Sequence, residues 1–126
     1  MPLPSLAVVL RTHDFVVHSH RLKPKRDVSL VAAALALAAE LAGDRPEDEP
    51  AALLFALSLH GLALSDGWEV VPWLLARNHA RKLGLVLRCD EDEEVALMRL
   101  RLNVAQKRSS FEEVRAWVAA HLHRSP

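Results

Sequence analysis

Tyrosine is absent from the chain, phenylalanine occurs three times, and aromatics make up only 5% of it. Hydrophobic residues nevertheless account for 51%, and most of them are Ala, Leu and Val. That composition disfavours a sheet, whose strands draw on β-branched and aromatic residues, and favours helices. Net charge is also missing: sixteen basic side chains balance sixteen acidic ones. No overall field then draws the protein to nucleic acid or to an anionic membrane, and any such binding must be local. With a single cysteine, Cys89, no intramolecular disulfide can form. The longest unbroken apolar run, Leu30 to Ala39, is too short to cross a bilayer. The first twenty residues lack the charged start and apolar core of a secretion signal, so a cytoplasmic location is the expectation.

What is present is helical periodicity. Leu6, Val9, Leu10, His13, Val16 and Val17 recur at spacings of three and four, which predicts a first helix from about Pro4 to Val17. The stretch "HSHRLKPKR" (18–26) is basic and broken by Pro24, so it reads as a solvated loop. His18 and His20 within it share a face only in a strand and have no third ligand at useful spacing, which argues against zinc. Asp27 suits an N-cap and Gly43 a stop for a second helix, and Pro50 suits the first turn of a third that runs to about Gly61. Both are apolar almost all round, and we expect the segments at about 27–42 and 51–61 to be the most buried.

A fourth helix is predicted to start near Val71 and end at Gly84, with Arg77, Arg81 and Lys82 toward its negative end. "LVLRC" (85–89) reads as a short extended link. The acids Asp90 to Glu94 lack the glycine and alternate-ligand spacing of a calcium loop and read as the start of a fifth helix. Ser110 and Glu113 stand at capping-box spacing before a sixth, and His121 and His123 suit its C-terminal end. The expected architecture is all-α, a compact single-domain bundle of about six helices spanning residues 1–126.

Five stretches, in order, resemble the Fic/death-on-curing (Doc-like) family of toxin–antitoxin proteins: "VLRTHD" (9–14), "RDVSLVAAALA" (26–36), "AALLFAL" (51–57), "LGLVLRCDEDEEV" (83–95) and "SFEEVRAWV" (110–118). The family signature reads His-x-Phe-x-Asp-Gly-Asn-Lys-Arg. Counted back from Gly84 without a gap, its Asp-Gly falls on Asp66 and Gly67 and its Phe on Leu64. Its Asn falls on Trp68, its Lys on Glu69, its Arg on Val70 and its His on Leu62, while counting forward from "AALLFAL" puts the His on Gly61.

In the family that His is the general base, the acid holds Mg²⁺ on nucleotide phosphates, and the Asn and cations cradle the phosphates. Loss of a general base costs about 10²–10⁴-fold in rate, and loss of the cradle removes an electrostatic term often larger still. Glu69 sets a negative charge where phosphate would sit. The resemblance therefore implies a degenerate, catalytically weak or inactive relative that needs no cofactor and binds a protein partner, such as an antitoxin. Trp68 and Trp73 are then candidate anchors. The rival reading is an active enzyme that moves AMP or phosphate from Mg-ATP to a protein hydroxyl, with His60 as base, Asp66 on the metal, and Asp66 and Gly67 at the nucleotide.

Overall fold

The computed structural model describes residues 3–19, 27–60 and 70–124. Six helices follow in order: α1 (Leu6–Ser19), α2 (Val28–Ala42), α3 (Glu49–Leu59), α4 (Val71–Lys82), α5 (Glu94–Ala105) and α6 (Phe111–His121). Short 3₁₀ turns at Pro46–Asp48 and Glu91–Glu93 lead into α3 and α5. The fold is all-α, and no described helix is long and apolar enough to cross a membrane.

Local chemistry sets the helix ends. Asp27 Oδ1 accepts the Leu30 amide at 3.2 Å, and Gly43 closes α2 at φ 55°. Ser110 and Glu113 form both arms of a capping box at 3.3 Å each. At α4 the helix starts at Val71, which puts Pro72 in the first turn, where a missing N–H removes no helical bond. Gly84, at φ 78°, then lets the chain reverse out of α4.

Beyond that turn lies an element the sequence did not announce. Strand β1 (Leu85–Leu87) pairs antiparallel with β2 (Leu122–Arg124), with Leu87 opposite Leu122. The expected extended link is therefore one half of a two-stranded ribbon. His123 sits in β2 and not at the end of the last helix. His18 and Ser19, expected in the basic loop, complete α1; the rest of that loop, 20–26, lies outside the described residues.

Helix α3 is the centre of the core, as its composition predicts. Pro50 to Leu54 and Ala56 to Ser58 are all buried, and the helix packs against α2, α4, α5 and α6. One cluster around it joins α1, α2 and the start of α4; a second joins α4, β1, α5 and α6. Helix α2 departs from expectation. It buries only the stripe Val31, Ala34, Ala38 and Ala42, while Val28 and Leu30 are 44% and 38% exposed. An Ala/Leu helix has little apolar asymmetry, so its sequence does not mark the side that faces solvent.

Candidate cleft between helices α4 and α5

Val70, Trp73 and Arg77 stand at spacings of three and four and so share one face of α4. That face looks onto β1 and α5 across a cleft of about 680 Å³. Leu87 and Leu97 are its buried apolar residues, Arg77, Arg88 and Arg101 its cations, and Asp90 and Glu94 its acids. Along α5, Val95, Met98 and Leu102 are 53%, 49% and 40% exposed. Their spacing makes one apolar stripe, of which Val95 and Met98 reach the cleft. The Arg77 Nε is buried with no hydrogen-bond partner among the described residues. A buried donor in that state gains from any acceptor that enters.

The wall behind Trp73 is built of packed rings. Its ring meets Trp117 edge-on at 6.2 Å, and Trp117 stacks on His121 at 3.8 Å. His121 Nδ1 donates to the Trp117 carbonyl at 2.7 Å, and Nε2 donates to the Glu93 carboxylate. Both partners only accept, so the ring must be imidazolium to satisfy them together. Burial works against that charge, but the Trp117 carbonyl and Glu93 outweigh it and raise the His121 pKa. The hydrogen bond from His121 in turn holds the Glu93 carboxyl below its ordinary range. The contact ties the turn before α5 to the end of α6.

Cys89 lies at the cleft beside these acids. Burial first, then Glu93, Glu94 and Asp90, push its thiol upward, which suppresses the thiolate that nucleophilic chemistry requires. The carboxylates of Asp90, Asp92 and Glu93 gather within 4.8 Å of one another at the start of α5, where the helix dipole favours acids, and Glu93 is already engaged by His121.

Of the residues singled out from the sequence, Trp73 is half-buried in the cleft wall and packs on the second core cluster. His60 is the half-buried residue that closes α3, its amide donating to the Ala56 carbonyl at 3.2 Å, and it does not line the cleft. Asp66, Gly67 and Trp68 lie outside the described residues. The structure thus joins Trp73 to Arg77, Arg101, Val95 and Met98, four residues that the sequence reading left out of any site. The 95, 98, 102 spacing was the available signal. Arg77 was masked by its fit to the α4 dipole. No protein-family model matches the chain, and neither does any curated protein.

Proposed function

We propose that this chain is a catalytically silent relative of the Fic/death-on-curing proteins that works by binding a protein partner in the α4/α5 cleft. The cleft itself carries the reading. It combines an aromatic wall, an apolar stripe and a buried arginine Nε with no acceptor among the described residues, and tryptophan and arginine are residue types that dominate binding energy at protein interfaces. An apolar segment with a carboxylate at one position would cover Val95 and Met98 and supply what Arg77 lacks.

The start of α4 favours binding over phosphoryl chemistry. Val70, aligned with a basic residue of the family signature, packs partly buried against the first core cluster. Pro72 in the first turn offers no N–H. Phosphates therefore find neither a cation at position 70 nor a donor at position 72, and Mg-ATP is a poor fit to these residues. A thiol held protonated at Cys89 adds no nucleophile.

Photo-crosslinking in cells tests the reading. A benzophenone amino acid at position 98 is expected to give a discrete protein adduct that Arg77→Glu removes. The same group at exposed Ala116 on α6 is expected to give none. Equal adducts from both positions, or none from position 98, would contradict it.

A further inference from the structure

Helix α5 buries Leu97 and Val104 and turns a second apolar stripe, Val95, Met98 and Leu102, outward. Neither core cluster includes those three side chains. Their spacing of three and then four is that of successive a, d and a positions in a heptad, the pattern by which one helix packs against another. The charges beside the stripe are divided by sign. Asp90 to Glu94 are all acids, and Arg99 and Arg101 follow. The helix dipole accounts for the acids but not for the arginines, because its influence is confined to the end turns and the last turn of α5 has no basic residue. Nor do the two sets serve each other along the helix. The residues three and four positions from exposed Arg99 are Val95, Ala96, Leu102 and Asn103, so no carboxylate stands at ion-pair spacing.

A second α5 laid antiparallel on the first supplies what each lacks. Turned about a two-fold axis that passes between Val95 and Met98, it sets its Met98 on Val95 and its Val95 on Met98, an apolar centre that complements itself. The same operation sets Asp92 opposite Arg99 and Glu94 opposite Arg101 of the second copy, and each pair occurs twice. The two helix dipoles then run in opposite directions, which adds a small favourable term. A parallel pairing would instead set acids on acids and arginines on arginines, and like charges held together across an interface are costly.

We propose that the outward stripe of α5 is covered by α5 of a second copy of this chain, antiparallel, in a symmetric dimer. The proposal rests on the reading of the α4/α5 cleft as a protein-binding surface and names its occupant, a helix with an apolar stripe flanked by carboxylates. Two helices of 12 residues make a small contact, so the dimer is a weak and reversible one. Sedimentation of the full chain from about 10 to about 500 μM tests it, with an expected dimer Kd of about 100 μM or tighter that salt weakens. Arg99→Glu and Asp92→Arg, both at exposed positions, are each expected to weaken self-association about tenfold, because each creates two like-charge pairs across the axis. Mixed in equal amounts, the two variants carry opposite charges at both pairs. The mixture is expected to recover about the wild-type affinity, which a misfolded variant could not do. Glu40→Arg, on the exposed side of α2, is the control and is expected to leave association unchanged. A monomer throughout, no recovery in the mixture, or a loss from Glu40→Arg equal to that from Arg99→Glu would overturn the proposal. A position-98 photo-adduct with the mass of a different protein would also overturn it, while leaving partner binding at the cleft standing.

Discussion

His121 shows how much one side chain can hold. It stacks on Trp117, donates to that residue's carbonyl and reaches Glu93 on the turn before α5, so its charge state links two elements. Its pKa is raised on folding, so its contribution to stability is complete below its unfolded value and is lost as pH rises through the folded one. Glu93 is shifted the other way, and its contribution is present above the ordinary carboxylate range and fades as pH falls through the lowered value. The pair therefore stabilises most between about pH 4.5 and 6.5. Urea midpoints should fall between about pH 5.5 and pH 8.5 in the wild-type protein, and Glu93→Gln should flatten that slope. At the same scale, Cys89 should react with a thiol reagent at neutral pH more slowly than a free cysteine does, because its thiolate is suppressed. Replacing Glu93 or Asp90 with the amide should speed that reaction.

The elements were legible in the sequence wherever a cap or a break made them so. Asp27, Gly43, Gly84 and the Ser110–Glu113 box each mark a helix end that the structure confirms. Ser110→Ala should therefore cost about 1 kcal/mol in denaturant unfolding. Leu53→Ala, at the centre of α3, should cost about 2–5 kcal/mol. Where the side chains were uniform, legibility failed. Helix α2 is Ala and Leu on every side, so nothing in it separated the buried stripe from the exposed Val28 and Leu30. The β1–β2 ribbon was missed because three-residue strands have too little pattern to read, and their pairing joins residues 85–87 to residues 122–124.

For the whole molecule, the balanced charge leaves no overall field to draw a partner, and the described cleft lies along one face of α4. The cleft was only partly visible beforehand. Trp73 was singled out, but Arg77 and Arg101 were accounted for by helix polarity, and Met98 is an ordinary helix residue until α5 is placed beside β1. Proximity across elements is what a linear pattern does not carry. If, as proposed, the protein binds through that cleft and not by chemistry at His60, paired substitutions separate the two. Affinity for the partner crosslinked at position 98 should be compared in Met98→Asp and His60→Ala proteins of unchanged melting temperature. A loss of about tenfold or more is expected for Met98→Asp, and no change for His60→Ala. Unchanged affinity in Met98→Asp, together with transfer of label from Mg-ATP to a protein hydroxyl that His60→Ala abolishes, would contradict it.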